Sequence, residues 1–218
     1  MIVVLGRPGL ASTSMAGGRP SLHGLAAGIA LAAARAGASV ELVGSIGDDP
    51  EGDRVVVLLG QAGVGHAALL RDPAGHTPVG PAEPAQRAEP AEPSEPSEPT
   101  GSRTPVPRLE AEDVELGLRY LAEIRVLVLA EPLESGAQMA AIEAAGYHSA
   151  AVVAVVPQHS QLAPALAEAG TVLEAPDDDV ASFAELVGRY AAGMATGNTP
   201  RDAFAAATDA IGWERTAE

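Results

Sequence analysis

The chain has 218 residues, 29 of them acidic and 13 basic, for a formal charge of -16, and it contains no cysteine. Absent thiols exclude disulfides, iron–sulfur clusters and thiolate zinc sites. The acidic balance disfavours nucleic acid and anionic membrane surfaces as partners, because both need a basic footprint. Apolar residues make up 47% of the chain, but there are only one Trp, two Phe and three Tyr, so the core is one of Ala, Val and Leu. The length fits one domain, or one domain plus an appendage. No apolar run reaches the 18 residues that a membrane span needs, and the opening MIVVLGRPG reads as a buried first strand rather than a signal segment. A cytoplasmic protein is expected.

In chain order, residues 2–5 are the first strand, and the glycine-rich stretch 7–19 is a loop beside the sheet. Residues 22–35 have the helical rhythm, closed by Gly37. A short strand over 40–43 leads into an acidic glycine loop, Gly44-Ser-Ile-Gly-Asp-Asp-Pro-Glu-Gly52. The next helix covers 50–59, with Asp48 or Asp49 as its cap and Pro50 at its first position. A strand over 66–70 leads out.

The composition then breaks. Within residues 77–108, prolines at 90, 93, 96 and 99 and glutamates at 89, 92, 95 and 98 recur every third residue. Proline blocks helix and sheet alike, and period three suits an extended polyproline II chain. The segment reads as an acidic, disordered loop inserted at a tolerant site. Order returns with a helix over 110–121 and a fully apolar strand over 125–130 (RVLVLA), which should be central and parallel. A helix over 133–145 ends at Gly146. Strands over 151–156 and 171–173 and helices over 162–169, 182–195 and 200–211 complete the pattern. Strands and helices alternate throughout, which predicts a three-layer, Rossmann-like sandwich on a mostly parallel sheet of five to seven strands. The expected organisation is one domain over 1–214, interrupted by the loop 77–108.

The run Val43-Gly44-Ser45-Ile46-Gly47-Asp48-Asp49-Pro50-Glu51-Gly52-Asp53, preceded by a small-residue helix and followed by Gly63-Val64, resembles the Val-Gly-x-Val-Gly-x-Asp-x-x-Gly loop of the ribokinase and phosphofructokinase-B family of carbohydrate kinases. The resemblance implies a ribokinase-like fold, and also a truncated, degenerate member of the family. The family's sugar-contacting asparagine falls on Gly28, and Arg7-Pro8-Gly9 stands where an aspartate normally holds sugar hydroxyls. The family's Gly-Ala-Gly-Asp signature supplies an anion hole and a base. Its best match here is Asp177-Asp178-Asp179-Val180-Ala181, which puts Ala181 at the base position. The lid, a small β-extension in the family, is expected to be absent or reduced, since neither 9–19 nor 75–107 alternates like a strand.

These residues give no catalytic group and no metal set: His-x-x-x-His, GxxxxGK[ST] and GxGxxG are all absent. Candidate substrate-lining positions are Gly28, Asp48 and Glu131, the last at the carboxyl end of a central strand, where open α/β sheets place ligands. Candidate nucleotide-side positions are Glu174, Asp178 and Asp179. The three consecutive aspartates read either as a divalent-ion or phosphoryl site or as a helix cap with acidic neighbours. The expected function is a ribokinase-like protein without efficient phosphoryl transfer, which binds a small molecule or acts through self-association as a homodimer and needs no cofactor. Two alternatives are an ATP- and magnesium-dependent kinase of a small hydroxylated substrate, and a non-catalytic partner subunit of another enzyme.

Overall fold

The computed structural model describes residues 1–12, 20–80, 105–160 and 163–212. The prolines and glutamates of the period-three run, and Thr13, Ser14 and Gly17-Gly18, lie outside the described residues.

The elements, in order, are β1 (Ile2–Leu5), β2 (Gly9–Ala11), β3 (Leu22–His23), α1 (Leu25–Arg35), β4 (Val40–Gly47), α2 (Pro50–Gln61), β5 (Leu69–Asp72) and β6 (Val79–Gly80). The second half continues with α3 (Ala111–Arg119), β7 (Val126–Leu129), α4 (Ser135–His148), β8 (Ala151–Pro157), α5 (Pro164–Ala169), β9 (Gly170–Ala175), α6 (Val180–Ala195) and α7 (Pro200–Ile211). Six strands form one sheet in the order β5-β4-β1-β7-β8-β9, and all its pairings are parallel.

Parallel strands covered on both faces must be apolar on both faces. Accordingly Ile2 and Val4 face one core and Val3 and Leu5 the other, all of them fully buried. The first core is roofed by α1, α2, α6 and α7, the second by α3, α4 and α5. This is the three-layer α/β sandwich expected from the alternation of elements. Small residues let α1 and α6 pack closely: a Cβ at Gly28 would lie 2.8 Å from Ala184 Cβ, and one at Gly188 would lie 2.5 Å from Ala32 Cβ.

Several boundaries depart from the sequence expectation. The glycine-rich stretch after β1 is not all loop. Gly9–Ala11 forms β2, which pairs antiparallel with β3 and parallel with β6. That three-stranded sheet draws on both segments expected to lack strands. Strands of two or three residues are too short for alternation to register. Because Leu22 and His23 belong to β3, α1 begins at Leu25. β4 runs on to Gly47, so half of the acidic glycine loop is strand, and β5 starts at Leu69 rather than at residue 66. α4 passes through Gly146 and ends at His148, with Ser149 in the left-handed region (φ 53°) as its cap.

Candidate functional site

With every strand of the main sheet parallel, all the loops that follow the strands emerge along one edge. From β1 the chain moves to β4 and β5 on one side, then returns to β7 on the other side of β1. The order therefore reverses between β1 and β7, and the crevice outside their carboxyl ends is where such sheets hold ligands. Register pairs Leu5 with Leu129. Two residues further along each chain stand Arg7 and Glu131.

These two side chains meet. Glu131 Oε1 accepts hydrogen bonds from the Arg7 backbone N–H at 2.7 Å and from Arg7 Nε at 2.9 Å, and Oε2 accepts from Nη2 at 3.0 Å. The pair is partly buried, with 34% and 24% of the two side chains exposed. A bidentate guanidinium–carboxylate fork fixes both groups in orientation. Its hydrogen bonds raise the Arg7 guanidinium above its ordinary pKa, against the opposing effect of partial burial.

Glu131 lines a cleft on either side. One, of about 170 Å³, has a mostly apolar wall that includes Leu129, Leu133, Val155 and Leu166, with Gln138 and Ser160 as polar members. The other, of about 180 Å³, is walled by Arg7, Arg108, Glu110 and Glu134. Each is smaller than the ~300 Å³ of an ordinary small-molecule pocket. A third cleft, of about 290 Å³, opens at the opposite edge among Met1, Ala36, Arg125 and Thr196.

Beside this crevice the acidic loop after β4 is tied into a knot. Asp49 caps α2, its Oδ1 accepting from Gly52 N at 2.8 Å. The same carboxylate accepts from Thr77 Oγ1 at 2.7 Å and from Thr77 N at 2.8 Å. The buried Thr77 hydroxyl in turn accepts from Gly47 N at 3.0 Å. Burial alone would raise the Asp49 pKa, but the hydrogen bonds from Thr77 and Gly52 outweigh it and hold the carboxyl below its ordinary 3.8. Gly47 and Gly52 are required here for space rather than for a positive φ, which neither has. A Cβ at Gly47 would lie 2.5 Å from Asp49 Oδ2 and 2.7 Å from Thr77 N, and one at Gly52 would lie 2.5 Å from Gly47 O. Thr77 lies at the start of the segment 77–108 that composition marks as an inserted loop, but in the structure it anchors this knot.

The remaining candidates do not converge. Asp48 is 63% exposed and pairs with Arg71, which reaches Asp53 at 2.6 Å. Gly28 sits within α1 against α6. Glu174 is exposed on β9, the outer strand. Asp177 and Asp178 are exposed before α6, and Asp179 caps that helix, its Oδ1 accepting from Ser182 N at 3.3 Å. Asp179 adopts the left-handed region (φ 50°, ψ 44°), which aspartate tolerates. From β4 to β9 there are four inter-strand steps, or about 19 Å at the usual spacing. Asp48 and Asp178 therefore flank different parts of the edge, and only Glu131 lies at the crevice itself. The partner of Glu131 was not legible in the sequence: Arg7 is 124 positions away and registered there only as a departure from a family pattern.

Among the described residues no group of three or more His, Asp and Glu is placed to hold a metal ion. Among the described residues no helix is long and apolar enough to cross a membrane.

No protein-family model matches the chain, and no curated protein matches it by sequence. Solved structures do match. An aminoimidazole riboside kinase from Salmonella enterica superposes with a TM-score of 0.64 at 13% identity, covering 100% of this chain and 94% of its own. A protein assigned as ribokinase II from E. coli, solved with ATP and Mg²⁺, gives 0.62 at 13% identity and covers 100% and 93%. The structure of Sa239 gives 0.62 at 14% identity and covers 100% and 94%. At such identities the likeness is one of fold.

Proposed function

We propose that this chain, which has the ribokinase-like fold, is a non-phosphorylating relative of the sugar kinases that binds a small polar molecule at the carboxyl edge of its sheet and self-associates. The observation that carries this reading is the start of α6. A kinase of this fold needs open helix-terminal amides for the transferring phosphate and a base beside them. Here Asp179 turns its carboxylate onto the Ser182 amide. Asp177 and Asp178 add charge of the sign that repels a triphosphate, and the base position falls on Ala181. These residues do not fit ATP with its magnesium, and no phosphoryl-transfer step is derived through them.

The crevice supports the same reading. Where a sugar's hydroxyls would be held, Arg7 and Glu131 satisfy each other, so a ligand must either displace that fork or lie beside it against Leu129 and Leu133. Asp48 borders this region, and Glu174, Asp178 and Asp179 border the far end of the edge. In this account Gly28 serves helix packing. The acidic surface and the absence of any spanning helix among the described residues suit a cytoplasmic protein without nucleic-acid or membrane partners.

The test is ADP release from magnesium-ATP across a panel of pentoses, hexoses and nucleosides. Loss of the base alone lowers a rate by roughly 10²–10⁴, so turnover should stay at the background of ATP hydrolysis. Substrate-dependent ADP release abolished by Asp178→Ala would overturn the reading in favour of a kinase.

A further inference from the structure

We infer that two copies of this chain join edge to edge through β9, in antiparallel register about Val172, so that their sheets become one continuous twelve-stranded sheet. The inference rests on the self-association part of the proposed function and says which surface carries it.

Among the described residues β9 pairs only with β8 and so ends the sheet. Alternate residues of a terminal strand turn their N–H and C=O groups outward, a template for another strand. Among the described residues nothing else hydrogen-bonds to the backbone of 171–175. β9 also carries none of the usual guards against pairing: Gly-Thr-Val-Leu-Glu-Ala has no proline, no lysine and a single charge. The opposite edge is guarded. β5 has only four residues, Arg71 is bridged to Asp48 and Asp53, and Asp72 accepts from Arg108 N at 3.2 Å. Val172 and Leu173 lie at the margins of the two cores, only partly buried, unlike the fully covered β1. A strand laid alongside would cover them.

Symmetry selects the occupant and the register. Closed two-fold pairing is the commonest way for identical chains to join. A two-fold axis normal to the sheet keeps each residue on its own face, so it must pass through a residue position. Centred on Glu174, it would set two carboxylates directly opposite, which is destabilising, and centred on Leu173, it would set each Glu174 against Val172 with the two carboxylates as diagonal neighbours. Centred on Val172, it sets Val172 against Val172, Thr171 against Leu173 and Glu174 against Gly170. This register overlaps five residues, buries both apolar side chains and keeps the two glutamates apart.

The chain has no cysteine, so Val172→Cys places its single thiol at the proposed axis. Directly opposed residues of an antiparallel pair have Cβ atoms roughly 4.5–5.5 Å apart, near disulfide range. Mild oxidation should convert most of Val172→Cys to a covalent dimer on a non-reducing gel, and leave Val57→Cys, on the exposed side of α2, monomeric. In sedimentation at micromolar concentration, wild type and Val172→Thr should run at twice the 21.9 kDa chain mass. Val172→Lys, which opposes two ammonium groups, should run at the chain mass while keeping the wild-type circular dichroism spectrum. A wild-type dimer that survives Val172→Lys and fails to cross-link through Val172→Cys overturns this interface but leaves self-association standing. A monomeric wild type overturns both, and neither result bears on phosphoryl transfer.

Discussion

Valine in place of Gly47 should lower folding stability by about 3 kcal/mol, the upper end of what overpacking a fitted site costs. The added Cβ would meet Asp49 Oδ2 at 2.5 Å, Thr77 N at 2.7 Å and Gly75 O at 2.8 Å. Two of these three neighbours are backbone atoms, and the third is held by the Gly52 and Thr77 hydrogen bonds, so none can swing away as a free side chain would. Valine adds branching to the intrusion. The loss is read from urea unfolding of variant and wild type. A difference under about 1 kcal/mol would mean that the knot of Asp49, Thr77 and Gly47 yields freely and does not fix the acidic loop.

Removing the carboxylate at the centre of that knot should cost nearly as much. Asp49→Ala deletes the cap of α2, worth about 1 kcal/mol, and leaves the Thr77 hydroxyl and amide without their acceptor at a buried site, a further 1–3 kcal/mol or so. The effect carries a pH signature. Because the hydrogen bonds hold the Asp49 carboxyl below its ordinary 3.8, the stabilisation it gives is complete above the pKa of an unfolded aspartate. It is lost as pH falls through the lower, folded value. The gap between wild type and Asp49→Ala should therefore persist down to about pH 5 and narrow below about 4. A gap of constant size down to pH 2.5 would show that the hydrogen bonds do not depend on ionisation.

The α/β order could be read from the chain because its signals are local. Apolar runs such as VLVL have one reading when they are buried on both faces. Pro50 and Pro200 mark first helical turns, and α7 has the bounds that its cap Thr199 and its closing Gly212 dictate. Asp179 acts as the cap that three successive aspartates before an apolar helix suggest. What depends on pairing across the sequence stayed hidden. The small sheet assembles from three fragments of two or three residues, each too short to show a period. The Arg7–Glu131 fork exists only because β1 and β7 are neighbours, a fact of topology rather than of composition. Nothing local to the glycine-rich acidic run shows that Gly47 is needed for space, because that need comes from Thr77, thirty positions on. The signal for the fork was present in one respect: a charged residue of opposite sign stands two places beyond each of two fully apolar strands.

The proposed function turns on whether the acids at the start of α6, Asp177 to Asp179, occupy and repel where a phosphate would otherwise be held. Calorimetric titration with magnesium-ATP puts this most directly. The account predicts no binding tighter than ~100 µM, equivalent to about -5.5 kcal/mol, for wild type. Stoichiometric binding tighter than this, lost on Asp178→Ala, would contradict it and return the acidic start of α6 to a nucleotide site.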